Sequence, residues 1–186
     1  MQSRPFLSFV SLAAVLAATT PSHAEPYQAP ARFGLGLELG APTGLSGKYF
    51  LGGGMVAIQG GVGIVESWGD DGVHAHVEVV WHFALLKRTP AVEIPLYAGV
   101  GGRVLQHRFG SRDRCFNGRF NEPCMDGDTH VGIRAPFGIS FVFRRVPMDL
   151  FVELAVLVDV AHLDNDFGHD HDHAGVSGVL GGRYYF

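Results

Sequence analysis

The sequence predicts an all-β fold: an eight-stranded antiparallel up-and-down transmembrane β-barrel formed by residues 25–186. Apolar and polar residues alternate in eight successive segments, which is the period of a β-strand with two different faces. The apolar phase of these segments contains no charged residue, although 17% of the chain is charged. Short turns also alternate with longer connections along the chain, as they do in outer-membrane barrels.

The first segment, 1–24, has the features of a cleaved secretory signal peptide. Arg4 precedes an apolar run from Phe6 to Ala18, and Ser22-His23-Ala24 offers small residues at the cleavage positions. The apolar run is too short to cross a membrane as a helix. The sequence therefore predicts export and a mature barrel domain of 25–186, located in the bacterial outer membrane with both termini in the periplasm.

The first two strands are predicted at 33–39 and 45–51, on either side of Ala41-Pro42-Thr43-Gly44. Proline suits the first position of a turn and glycine the left-handed position that closes a three-residue hairpin. If residues 41 and 45 pair, Glu38 faces Lys48 across this hairpin. The apolar phases of the other six strands run from Val56 to Ile64, Val73 to Leu85, Leu96 to Val104, Val131 to Phe143, Leu150 to Val158 and Val176 to Phe186.

The polar phase predicts a closed lumen lined by paired charges. Apart from charges it contains mostly glycine, alanine and serine, which is too few polar groups for a face in water. Its four basic and four acidic residues balance, as buried charges must. These residues are Glu38, Lys48, Glu78, Arg103, Arg134, Glu153, Asp159 and Arg183. The alternative is a soluble, lipocalin-like barrel with the apolar phase inside.

The positions of the aromatic residues favour the membrane interpretation. If the termini are periplasmic, the even-numbered strands descend toward the periplasm, and most aromatic residues lie near their ends, as in an interfacial girdle. The short connections 52–54, 87–94 and 144–148 would then be periplasmic, and the longer ones, around 68–72, 107–130 and 161–174, extracellular. The aromatic residues are Phe33, Tyr49, Trp81, Phe83, Phe141, Phe143, Tyr184 and Phe186.

The mature chain resembles the small OmpA/OmpX-type eight-stranded barrels. Its last residues, GRYYF at 182–186, resemble the terminal signal read by the barrel-assembly machinery, with Tyr184 and Phe186 as the signal residues. More narrowly, GAPTGLSGKYF at 40–50, GVGGR at 99–103 and RAPFG at 134–138 resemble an uncharacterised bacterial barrel family typified by a spirochaetal outer-membrane protein. This resemblance implies a barrel fold and assembly by that machinery, and no activity.

Two cysteines, Cys115 and Cys124, are predicted to form a disulfide in the oxidising periplasm. On the chain-entropy model, closing so short a loop stabilises the fold by roughly 2.5–3 kcal/mol. The alternative is a pair of free thiols or a metal pair.

Histidines suggest two candidate metal sites. His74, His76, Glu78 and His82 project from one strand into the predicted lumen, where we expect a hydrogen-bonded, charge-balanced plug, with a shared metal ion as the alternative. In the last connection, His169, His171 and His173 alternate with aspartates, a pattern suited to zinc, nickel or copper because neutral imidazole binds all three. The alternative there is a solvated acidic surface loop.

These features favour a non-enzymatic barrel with a structural or surface-interaction role, without a cofactor. A metal-binding surface protein using His169, His171 and His173 is the alternative. A lipid-modifying enzyme is a third class, but the outward phase lacks a Ser, His and acid together, and Ser140 and Ser177 fall on the inner phase. The expected partners are outer-membrane lipid and the barrel-assembly machinery. A net charge of −4 gives no reason to expect nucleic acid, and we expect a monomer.

Overall fold

A computed structural model describes residue 27 and residues 29–67, 70–107, 129–162 and 174–186. Eight antiparallel strands, each hydrogen-bonded to its neighbours in sequence, close into a barrel by pairing of the first strand with the last. The predicted all-β, eight-stranded closed barrel is confirmed. In the part of the chain described, no helix is long and apolar enough to cross a membrane. The strands are β1 (Phe33–Gly40), β2 (Thr43–Leu51), β3 (Val56–Ser67), β4 (Asp70–Arg88), β5 (Val92–His107), β6 (Thr129–Phe143), β7 (Met148–His162) and β8 (Ala174–Tyr185).

The two ends of the barrel differ in their connections. At the end that we call the turn end, the strands are joined by 52–55, 89–91 and 144–147, and β1 begins and β8 finishes there. At the opposite end, called the loop end, the connections are 41–42, 68–69, 108–128 and 163–173. The prediction of a longer connection around 68–72 is wrong, because β3 and β4 continue pairing up to Ser67 and Asp70.

The first hairpin turns two residues earlier than predicted. Thr43 already belongs to β2, and its hydroxyl both accepts from the Gly40 amide and donates to the Gly40 carbonyl, each over 3.0 Å. These bonds fix the turn around Ala41. As a result Glu38 pairs with Gly44 and Lys48 with Gly34, so the predicted Glu38–Lys48 pair across the hairpin is wrong.

The fourth strand departs from strict alternation near the turn end. Its pairing with β5 shifts between His82 and Ala84 and again between Leu85 and Lys87. Because a bulge adds a residue to one strand, it moves the following side chains to the other face. Leu85 therefore packs partly buried against the inner core, while Leu86 is exposed, which reverses the predicted outward position of Leu85.

The distribution of side chains is inverted relative to a protein with an apolar interior. Large apolar side chains on the outer face are exposed along the strands, for example Leu154 at 58% and Val77 at 59%. The residues buried inside include Arg134, Lys48 and Glu78. Between the strand ends, none of the described outward-facing side chains carries a charge.

Candidate functional site in the barrel lumen

The centre of the lumen is a hydrogen-bonded network built around Arg134. This guanidinium donates to Glu78 Oε1 over 2.5 Å and to Glu153 Oε1 over 2.6 Å. The Gln59 amide donates to the same two carboxylates, at Glu78 Oε1 and Glu153 Oε2. The Tyr97 hydroxyl donates to Glu153 Oε2 over 2.9 Å. One network thus links side chains from β3, β4, β5, β6 and β7 across the interior.

Glycines make room for the aromatic rings of the lumen. Tyr97 lies directly opposite Gly138 in the β5–β6 pairing, and a Cβ built on Gly138 would lie 2.4 Å from the Tyr97 hydroxyl oxygen. Phe151 is paired with Gly181 in the same way, and a Cβ there would lie 2.5 Å from its ring. A larger residue at either glycine would displace the ring over it.

A second cluster surrounds Arg183 on β8, nearer the turn end. Its Nε donates to Ser46 Oγ over 3.1 Å, and its Nη1 lies 3.7 Å from Asp149 Oδ2. Its guanidinium carbon lies 3.8 Å from the centre of the Phe151 ring, within cation–π range. Tyr185 also donates to Asp149 over 2.8 Å. Arg183 therefore joins β2, β7 and β8.

Lys48 pairs with a histidine and with aromatic rings instead of a carboxylate. Its Nζ lies 3.0 Å from His82 Nε2 and 4.4 Å from the centre of the Tyr97 ring. The predicted acidic partner, Glu38, lies inside the barrel, 2% exposed, and its Oε1 lacks a hydrogen-bond partner within the described residues.

A third ion pair lies toward the loop end. Arg103 donates from Nε and Nη2 to Asp159 Oδ1, at 3.1 and 2.5 Å. All eight predicted lumen charges are thus inside the barrel. Three ion pairs join residues of the predicted set: Arg134 with Glu78, Arg134 with Glu153, and Arg103 with Asp159.

Sequence reasoning missed two buried acids, Glu93 and Asp149. Glu93 Oε1 lies 2.7 Å from Arg88 Nε and 3.0 Å from Arg144 Nη1 at the turn end. Both acids lie in the first two residues of their strands, so a short alternation pattern does not fix their phase. Asp149 directly precedes the outward residue Leu150. Because side chains alternate between the two faces of a strand, this position could have placed Asp149 on the inner face.

The N-terminal segment closes the turn end of the lumen. Tyr27 is 4% exposed, and its ring stacks on His82 at a centroid distance of 4.9 Å and lies 5.8 Å from Phe50. Burial raises the pKa of the Tyr27 hydroxyl well above its ordinary value. Ala29 and Ala31 pack against the same core.

The lumen histidines do not form a metal site in the structure. His74, His76 and His82 are all buried, but in the described ranges no group of three or more His, Cys, Asp or Glu side chains is placed to hold a metal ion. The candidate metal site at His74, His76, Glu78 and His82 is therefore not formed by the described side chains. His82 instead contacts Lys48 and Tyr27, and His76 Nε2 lies 3.8 Å from Glu78 Oε1.

Several predicted features lie outside the described residues: the signal peptide, Cys115 and Cys124, and His169, His171 and His173. Tyr184 and Phe186 are on the outer face at the turn end, 48% and 71% exposed. Ser140 and Ser177 are buried inside. Comparison of the chain with protein-family models, with curated proteins and with solved structures finds no match.

Proposed function

We propose that this chain is an outer-membrane β-barrel with a closed, charge-paired lumen, and that it acts as a structural or surface-interaction protein through its loop end. The observation that carries the proposal is the inverted polarity of the barrel. Ionic groups are buried within, with Arg134 and Arg103 in ion pairs, while the outside between the strand ends is an apolar surface without charged side chains. In water, soluble monomers rarely expose continuous apolar patches larger than a few hundred Å².

The outer surface also has the dimensions that a bilayer requires. On β7, outward apolar side chains alternate from Leu150 to Val160, which matches the about 9–11 residues of a tilted membrane strand. Closure of the barrel satisfies the backbone groups of every strand, since no edge is left open. Both features are those of a membrane-spanning barrel.

Exposed aromatic side chains are concentrated at the turn end. Trp81 is 55% exposed there, and Phe33 stacks with Phe186 at a centroid distance of 6.4 Å. Aromatic girdles mark the membrane interfaces of such barrels. This supports a location of the turn end at the level of the lipid headgroups, on the periplasmic side if the orientation predicted from the sequence holds.

The packed lumen argues against a channel. An eight-stranded barrel has room for little more than its own side chains, and here Arg134, Tyr97, Tyr185 and Lys48 fill it, with Tyr27 at the turn end. Interaction with the surroundings would then be made by the loop end, where the two longest connections lie.

One substitution separates a membrane barrel from a soluble one. Leu154 is 58% exposed and lies in the middle of β7, so in water Leu154→Arg costs little. In a bilayer the same change costs about 2–4 kcal/mol at the midplane. Val160→Arg is the matched control, because Val160 has the same orientation on the same strand but lies near its loop end.

The measurement is urea unfolding of the purified chain refolded into phospholipid vesicles, after vesicle flotation has verified insertion. We expect Leu154→Arg to lower stability strongly and Val160→Arg to lower it by roughly 0–1 kcal/mol. Heat-modifiable migration of the wild-type chain from outer-membrane extracts supplies the cellular test. A chain that stays with the soluble periplasmic fraction and tolerates both substitutions would refute the membrane proposal.

The alternative functions have their own tests. Zinc or nickel binding tighter than micromolar, abolished when His169, His171 and His173 are replaced by alanine, would favour the metal-binding protein. A change in lipid A mass on expression would favour the lipid-modifying enzyme.

A further inference from the structure

The exposed charged side chains at the turn end are all positive among the described residues. Arg144 and Arg145 lie in the β6–β7 turn, Lys87 and Arg88 end β4, and Arg32 precedes β1. The two acids at this end, Glu93 and Asp149, are buried at 0% and 1% exposure. The result is a basic rim directly beside the exposed aromatic side chains.

A cavity of about 250 Å³ opens in this rim. Its wall is formed by Ala29 and Pro30 of the N-terminal segment, by Val142 and Phe143 at the end of β6, and by Arg144, Arg145 and Pro147 of the β6–β7 turn. It therefore combines two guanidinium-bearing residues with an aromatic ring and small apolar groups. This is the composition expected for a site that holds an anionic group with an apolar attachment.

One of the two arginines is held in place by buried structure. Arg144 Nη1 lies 3.0 Å from Glu93 Oε1, and its amide donates to the Ala91 carbonyl over 2.9 Å. Glu93 also pairs with Arg88, so one carboxylate is shared by two guanidinium groups and the local charge stays positive. Arg145, next in the chain, is exposed and adds a further charge at the cavity wall.

We propose that this cavity binds the phosphate of an anionic phospholipid headgroup, with Arg144 and Arg145 as the phosphate ligands. The inference rests on the membrane location proposed above and adds a specific lipid site to it. Guanidinium groups match phosphate oxygens in geometry and charge, and basic pockets at membrane level bind such headgroups. Phosphate is the chemistry shared by the headgroup and the free ion.

The neighbouring surface favours a lipid over other anions. The cavity wall includes Phe143, and the outward Phe141 and Leu150 follow on the paired strands, so a phosphate at the arginines would have its acyl chains along the apolar face. A free phosphate ion would gain nothing from this apolar surface. A cell-wall polymer, whose acidic groups are carboxylates on a polar chain, would not use it either.

The test is native mass spectrometry of the full chain in detergent, titrated with phosphatidylglycerol or with phosphatidylcholine. We expect phosphatidylglycerol to bind more tightly, and Arg145→Gln to weaken its binding by about tenfold, the loss of one charged hydrogen-bonding group. Lys87→Gln is the matched control, since it removes the same charge from the same rim without touching the cavity wall. Arg144→Gln is the second variant, and heat-modifiable migration verifies that each variant folds.

Several results would overturn the proposal. Equal binding of the two lipids, or equal weakening by Lys87→Gln and Arg145→Gln, would leave only a diffuse electrostatic attraction. Inorganic phosphate binding at the cavity without any lipid adduct would assign the site to the free ion. Co-sedimentation with peptidoglycan that is lost in Arg145→Gln, while lipid binding is unchanged, would assign it to the cell wall. Wild-type chain that does not insert into vesicles would instead refute the membrane location itself.

Discussion

Arg134 on β6 and Glu153 on β7 form an ion pair inside the barrel, with Arg134 Nη2 donating to Glu153 Oε1 over 2.6 Å. The same guanidinium reaches Glu78 on β4, and Arg134 is 0% exposed. A buried pair contributes little net stability compared with apolar residues of the same size, because desolvation offsets the attraction. Removing one partner is different, since it leaves an uncompensated charge inside.

Replacing Arg134 with methionine should therefore destabilise the barrel strongly. Arg134→Met leaves Glu78 and Glu153 without their cation, and we expect a loss of about 3–5 kcal/mol in the free energy of unfolding. The measurement is urea unfolding of the refolded chain at neutral pH. In the triple variant Arg134→Met/Glu78→Gln/Glu153→Gln, neutral amides replace the stranded carboxylates, and much of the stability should return. A single variant as stable as wild type would contradict this account of the lumen.

The contact between Tyr97 and Gly138 gives a second prediction. Gly138→Ala places a methyl group against the Tyr97 ring and moves its hydroxyl away from Glu153. We expect a destabilisation of about 1–3 kcal/mol, the usual range for overpacking a core. Gly47→Ala is the control, because Gly47 is also in a strand but its Cβ would meet only a backbone oxygen, at 3.9 Å. Equal urea midpoints for the two variants would count against the contact.

The strand count and the inner and outer phases could be read from the sequence because a strand repeats every two residues. Once a segment is recognised as a strand, the only open question is which of its two phases faces outward. The phase without charged residues was assigned to the outer face, which placed Leu154 outside and Glu153 inside. The two-residue period does not show where a strand begins, so Glu93 and Asp149, each the second residue of its strand, were missed. It also fails at the β4 bulge, where Leu85 turns inward.

The charge partners could not be read from the sequence, because they depend on register and on distances across the lumen. A turn displaced by two residues separated Glu38 from Lys48, and Lys48 instead lies against His82, which is on β4. Arg134 reaches Glu78 because β4 and β6 are the two neighbours of β5 and both side chains point into the lumen. Local spacing contains no information on that relation.

The predicted disulfide is tested by mass. Cys115 and Cys124 are the two cysteines of the chain, so chain purified without reductant should take up no iodoacetamide, and reduction should allow two additions. Replacing both cysteines with serine should lower the free energy of unfolding by roughly 2.5–3 kcal/mol on the chain-entropy model. Alkylation of the unreduced protein would show free thiols instead.

The N-terminal segment supplies the last prediction. Tyr27 is buried in the turn end against His82 and Phe50, although it precedes the first strand. Tyr27→Ala should lower the free energy of unfolding by about 3–5 kcal/mol, as for other buried aromatic residues replaced by alanine. When samples are heated to increasing temperatures before electrophoresis, the folded band should disappear at a lower temperature than in the wild type. Tyr27→Phe keeps the ring and should remain close to wild type. If deletion of 25–31 left that temperature unchanged, the segment would not contribute to closing the lumen.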